Sequence, residues 1–99
     1  KHSSKLIQGL LSKSKPADRQ KAQTKMIIAA NIDEAIKERG WNRSKLAEEL
    51  NVGRSLVTKW LSGTHNFTVD TLVDICQVLD INMIELLQKP QTKVESYQH

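Results

Sequence analysis

Ninety-nine residues suffice for one compact core but leave little room for a deep catalytic cleft beside it. A lone cysteine, Cys76, excludes an internal disulfide framework and points to the reducing interior of a cell. The longest apolar run, Met26 to Ala30, falls far short of the roughly 20 residues that span a bilayer, so no membrane partner is expected. The formal charge of +4 is unevenly spread: residues 1–25 hold seven Lys or Arg against Asp18 alone, whereas the remainder holds eight basic and ten acidic residues. Any basic patch on the folded part must therefore come from placement rather than from excess.

Sustained period-two alternation is absent, and the chain reads as all-α. A short first helix is predicted over Leu6 to Lys13, with Leu6, Ile7, Leu10 and Leu11 on one side, Gly9 weakening it and Ser14 to Pro16 breaking it. A long helix follows from Ala17 to Arg39. In it Ile28, Ile32, Ala35 and Ile36 fall at i, i+4, i+7 and i+8, one amphipathic stripe. Gly40 ends it where a left-handed residue is favoured. Met26, Ile27, Ala29 and Ala30 lie off the stripe, so a second cover is expected for that segment, either the first helix or a partner subunit.

Three later helices share one local signature: an apolar residue, a capping residue, then an apolar residue five positions after the first. These are Trp41-Asn42 with Leu46, Phe67-Thr68 with Leu72, and Ile81-Asn82 with Leu86, hydrophobic staples around N-caps, with Asn82 and Glu85 also fitting a capping box. Another helix, Gly53 to Leu61, is separated from the Asn42 helix by Asn51 and Val52 alone, so the two must cross steeply. The tail after Leu87, with Pro90 and few apolar residues, is expected to be flexible. The predicted division is a basic helical extension over 1–25, a folded domain over 26–88 and a tail over 89–99.

Within Asn42 to Gly63, periodicity turns Leu46, Ala47 and Leu50 inward on one helix and Val57, Trp60 and Leu61 inward on the next. Val52 plugs the corner, and Ala47 is small where the helices cross. The segment is a helix-turn-helix pattern and resembles the lambda-repressor and Cro-like family, the xenobiotic-response-element type of regulator, over roughly Ile28 to Leu87. One departure is Asn51 at the turn position usually held by glycine, a residue that still tolerates the left-handed region.

The resemblance implies a five-helix DNA-binding bundle that reads the major groove with the Gly53 to Leu61 helix. It nominates Arg54, Ser55, Leu56, Thr58 and Lys59 as base readers. Stepping about 100° per residue from an inward Val57 puts Ser55, Lys59 and Ser62 on the outer face. Arg54 suits bidentate bonding to guanine and Leu56 suits a thymine methyl, whereas Ser55 and Thr58 discriminate less.

Arg43 and Lys45 occupy a first helical turn where the macrodipole disfavours cations, and Glu48 and Glu49 come later, where it disfavours anions. That inversion makes sense if Asn42, Arg43 and Lys45 meet a DNA phosphate. In the family the loop after the reading helix touches the backbone, which nominates Thr64 and Asn66 here; His65 in the same loop reads more readily as a solvated residue.

The expected function is a sequence-specific double-stranded DNA-binding transcriptional regulator, a dimeric repressor of a near-palindromic operator, acting in the cytoplasm of a prokaryotic cell. Two alternatives stand beside it. The stretch Leu61 to Leu72 with the long preceding helix looks like HigA-type antitoxins, which bind a toxin and repress their own operon. A protein-interaction module that keeps the bundle without DNA binding is the other. No enzyme is expected, since there is no phosphate-cradling glycine loop and no nucleophile placed beside a histidine and an acid. No metal or cofactor is expected either, because His2, His65, His99 and Cys76 share no ligand spacing.

Overall fold

In the computed structural model, which describes residues 16–90, five helices follow one another. They are α1 (Pro16–Glu38), α2 (Arg43–Leu50), α3 (Arg54–Trp60), α4 (Val69–Leu79) and α5 (Met83–Leu87), and no strand occurs among the described residues. The predicted helix over Leu6 to Lys13 and the tail beyond residue 90 lie outside the described residues. Pro16, read from sequence as a breaker, is the first residue of α1. A proline is at home there because the first-turn N–H it lacks would have no intrahelical partner. From Pro16, α1 runs without interruption through residue 25 into the apolar segment.

Three of the four joints between helices are built alike. In Gly40-Trp41-Asn42, Asn51-Val52-Gly53 and Asp80-Ile81-Asn82, a left-handed residue is followed by an apolar residue and then by the N-cap of the next helix. Gly40 has φ 71°, Asn51 φ 58° and Asp80 φ 57°. At each joint two backbone bonds close the preceding helix in a Schellman pattern. The N–H groups of Gly40 and Trp41 donate to the carbonyls of Lys37 and Ile36 at 3.0 and 2.8 Å. Those of Asn51 and Val52 donate to Glu48 and Ala47 at 3.1 and 2.9 Å. Those of Asp80 and Ile81 donate to Gln77 and Cys76 at 3.3 and 3.0 Å.

The apolar member of each joint, Trp41, Val52 or Ile81, is half-buried and packs against the core. The caps that follow act as the sequence predicts. Asn42 Oδ1 accepts from the Lys45 N–H at 2.8 Å, and Thr68 Oγ1 accepts from the Thr71 N–H at 3.1 Å. Asn82 and Glu85 form the full reciprocal box, at 2.8 and 2.9 Å.

The core gathers around Ile32, Leu46, Val57, Ile75, Leu79 and Leu86, all sealed from solvent. The whole predicted α1 stripe is buried: Ile28, Ile32, Ala35 and Ile36. Off the stripe, Ala29 is buried and Ile27 half-buried, while Met26 is 60% exposed. On α2 and α3, Leu46, Ala47, Val57 and Trp60 point inward as expected, with Leu50, Val52 and Leu61 half-buried at the margin. Cys76 is a core residue whose thiol pKa is pushed up by burial, with the charge of Glu85 adding to it, so the nucleophilic thiolate is disfavoured.

The short α5 has few bonds of its own to hold it, and Asn31 of α1 supplies the clamp. Its amide donates to the carbonyls of Leu86 at 2.7 Å and Gln88 at 2.8 Å, satisfying acceptors at a helix end that lacks a left-handed cap. Asn31→Ala is accordingly expected to lower unfolding free energy by about 1–2 kcal/mol in urea titration and to speed amide exchange in α5 before the rest of the molecule. At the joint between α2 and α3, Asn51→Gly is expected to raise stability by up to about 1 kcal/mol, whereas Asn51→Val lowers it, because only the β-branched residue clashes in the left-handed region; thermal melts of the pair give opposite signs.

Candidate nucleic-acid interface

The crossing of α2 over α3 decides which side chains remain outside. With Val57 and Trp60 locked into the core, Arg54, Ser55, Thr58 and Lys59 are left exposed on α3. Arg54, Ser55 and Thr58 line a shallow open depression on that face. Among the described residues the side chains of all four make no hydrogen bond or ion pair, so their donors are available to a ligand. Leu56 differs from them: it is half-buried and packs against the core, presenting only part of its side chain to the outer face.

At the start of α2, Asn42 is exposed, and capping engages its Oδ1 while leaving the amide donors outward. Arg43 beside it is half-exposed and forms no ion pair among the described residues. Lys45 is already partnered. Its ammonium lies 2.9 Å from Glu49 and 5.7 Å from the centre of the Trp41 ring. The hydrogen bond from Lys45 to Glu49, reinforced by the carboxylate charge, raises the Lys45 pKa. The inverted charge order of α2 is thus partly offset within the helix, although a Lys preceding a Glu by four residues is the weaker orientation. Of the three phosphate candidates on α2, Lys45 is the one that would have to exchange a partner.

The fourth joint, between α3 and α4, departs from the pattern of the others. Ser62 closes α3 by donating its N–H and its hydroxyl to the Lys59 carbonyl, at 3.1 and 2.7 Å. Because the single Ser62 hydroxyl proton is engaged there, the 2.9 Å contact between Ser62 Oγ and Thr64 Oγ1 has Thr64 as donor. The Thr64 N–H also points to Ser62 Oγ, at 3.2 Å. A phosphate could draw on Thr64 only by replacing one of these bonds. Asn66 is exposed and its side chain makes no hydrogen bond among the described residues. His65 is half-buried and set edge-on to Phe67, ring centres 4.7 Å apart, and Phe67 in turn lies 6.1 Å from Trp60. This aromatic chain ties the loop to α3, so His65 has a packing role that sequence periodicity did not reveal.

Two lysines missed as site candidates from sequence stand beside this loop. Lys21 and Lys25 of α1 line a groove shared with Ser62, Gly63 and Thr64 and a second one shared with Asn66 and Phe67. Their i, i+4 spacing was visible in the sequence, but nothing local indicated that α1 packs its N-terminal half against this loop.

An open bundle whose second and third helices cross around small Ala47, leaving the outer face of the third uncovered, defines a helix-turn-helix module. Residues 32–86 match the helix-turn-helix family, more than half of the chain, and the chain belongs to it, in the lambda-repressor and Cro-like group of DNA-binding regulators. A solved structure, the hypothetical transcription factor NHTF from Neisseria, superposes with a TM-score of 0.66 at 19% identity, covering 74% of this chain and 84% of that one. No curated protein matches the chain. No described helix is long and apolar enough to cross a membrane.

Gly63 sets the course of the loop. Its φ is 87°, and a Cβ there would lie 3.4 Å from Met26 Cγ, an ordinary contact, so the backbone angle rather than crowding demands glycine. Gly63→Ala should cost about 1–2 kcal/mol in chemical denaturation. The loss should persist undiminished when Met26→Ala is added, since removing the neighbouring side chain leaves the angle unchanged.

Proposed function

We propose that this protein is a sequence-specific transcriptional regulator that lays α3 in the major groove of double-stranded DNA and acts as a homodimeric repressor. The observation that carries the reading is the exposed, unpartnered row on α3. Arg54, Ser55, Thr58 and Lys59 contribute nothing to the core and stand together on the exposed outer face of α3. In this reading those four and the exposed part of Leu56 meet base edges. Arg54 discriminates most, because its guanidinium can bond the two acceptors of a guanine at once. Asn42, Arg43 and Lys45 meet phosphates on one flank, and Thr64 and Asn66 meet them on the other. Residues 26–88 act as the DNA-binding unit. A dimer doubles the few base pairs one module covers, with its two α3 helices about 34 Å apart.

A second reading, an antitoxin of the HigA type, draws its support from apolar side chains left outside: Met26 on α1, Val69 and Val73 on α4, and Ile84 and Leu87 on α5. Such residues suit a protein partner, and repression of its own operon would use the same α3 face.

Selection from a random duplex pool followed by gel shift tests the main reading. A preferred, near-palindromic site bound about 10³-fold or more over the pool is expected. Arg54→Ala should weaken binding to that site by about ten- to a hundredfold and relax the preference at one position per half-site. A pool that yields no preferred site, or an Arg54→Ala, Lys59→Ala double variant that binds like the parent, would instead point to a module that has kept the bundle and lost DNA reading.

A further inference from the structure

We propose that Lys21 and Lys25 on the N-terminal half of α1 form an additional phosphate-binding edge, gripping the DNA backbone beside the loop that follows α3. The inference rests on the DNA-binding reading above. Both lysines lie before residue 32, where the family match begins, so the grip is an addition to the shared module.

Three observations place it. First, Lys21 and Lys25 are one helical turn apart on α1 and line both grooves between that helix and the 62–67 loop, one bordered by Ser62, Gly63 and Thr64, the other by Asn66 and Phe67. Second, the two sides are held together: Met26, the residue after Lys25, lies against Gly63, whose backbone angle fixes the loop. Third, neither lysine forms an ion pair among the described residues. Two other cations of the bundle are already neutralised, Lys37 by Asp33 and Lys45 by Glu49, each at 2.9 Å. Asp18 also borders the first groove and is the one carboxylate on it, so the wall keeps an excess of positive charge.

The occupant is identified by this charge and by position. The grooves open where α3 ends, the place at which a duplex seated on Arg54, Ser55 and Thr58 would carry its sugar-phosphate backbone past the loop. Thr64 has its hydroxyl proton and its N–H engaged with Ser62, so it offers a phosphate little without rearrangement. Lys21 and Lys25 supply flexible ammonium groups at the same spot with no ion pair to give up. A lysine acts here as a point charge, adding affinity without sequence information.

The test uses the full chain and the Lys21→Gln, Lys25→Gln double variant, which keeps much of the aliphatic stem and removes charge. A mixed-sequence duplex of about 20 base pairs, two helical turns, serves as the probe. Each lysine that neutralises a phosphate contributes about 0.9 to the slope of log affinity against log salt, so the double variant should lose nearly 2 from that slope. Between about 50 and about 200 mM salt, its fall in affinity should therefore be about tenfold smaller than that of the parent. Thermal midpoints should be equal, and Lys21→Arg, Lys25→Arg should restore the slope. Base preference in the selected site should be unchanged, unlike in Arg54→Ala.

A parent that binds duplex DNA while the glutamine variant keeps the same slope overturns this inference and leaves the DNA reading standing. A parent that retains no duplex at all overturns both. Unchanged DNA slopes together with loss of a co-purifying protein partner from the glutamine variant would assign the edge to that partner and likewise overturn the phosphate grip.

Discussion

The structure depends on one repeated device: a left-handed residue that closes a helix, an apolar plug, and a capping residue that opens the next helix. Gly40-Trp41-Asn42, Asn51-Val52-Gly53 and Asp80-Ile81-Asn82 are three solutions to the same problem. Orphan carbonyls of one helix and orphan N–H groups of the next must be satisfied within two or three residues, while the chain turns sharply enough to bring both apolar faces onto one core. The plug gives the turn its hold, since it packs against the core, and the capping bonds give it direction. Where the cap is glycine, at Gly53, no side chain answers the first N–H groups of α3, which leaves that end of the helix open.

Against this regularity the joint from α3 to α4 stands apart. Ser62 closes α3 with its side chain, Gly63 takes a positive φ without starting a helix, and an aromatic chain from Trp60 through Phe67 to His65 anchors the segment leading into α4. The loop is therefore fixed by contacts of its own, and a partner meeting it would lose little entropy in ordering it. The hydroxyls of Ser62 and Thr64 are correspondingly less available than their residue types suggest, whereas Asn66 stays open.

Much of this was legible in the sequence because the information is local. Staples and caps lie within five residues of one another, so Asn42, Thr68 and Asn82 could be identified as helix starts from residue type and spacing. The α1 stripe and the inward Leu46, Ala47, Val57 and Trp60 follow from a 3.6-residue period alone. The helix ends were only partly visible: Gly40, Asn51 and Asp80 are all residue types that visit the left-handed region, but Asp80 also sets a negative charge at a helix C-terminus, against the macrodipole, which masks the signal. Contacts between distant residues were hidden altogether. Asn31 reaches carbonyls more than fifty positions away, and nothing in its neighbourhood marks it as a clamp. Lys45 illustrates a third case: its partner Glu49 was in plain view at i+4, but only geometry shows the ammonium held there and set toward Trp41.

A module whose described residues hold ten basic and ten acidic side chains can face a polyanion only through the arrangement of its cations. Charge excess is ruled out, since basic residues only equal acidic ones over residues 16–90. Selective neutralisation is left. Lys37 and Lys45 are tied to carboxylates, while Arg54 and Lys59 on α3, Arg43 at the head of α2, and Lys21 and Lys25 beside the 62–67 loop have no ion pair among the described residues. The local field near the unpaired cations is positive even though the sum over the bundle is not, and at separations within about a Debye length of 8–10 Å it is the local arrangement that a phosphate senses. Pairing within the bundle therefore sorts the cations by availability. In α1 the same helix that buries Ile28 and Ile32 in the core carries two of the unpaired cations one to two turns earlier, so the packing that holds the fold together also fixes where that charge stands.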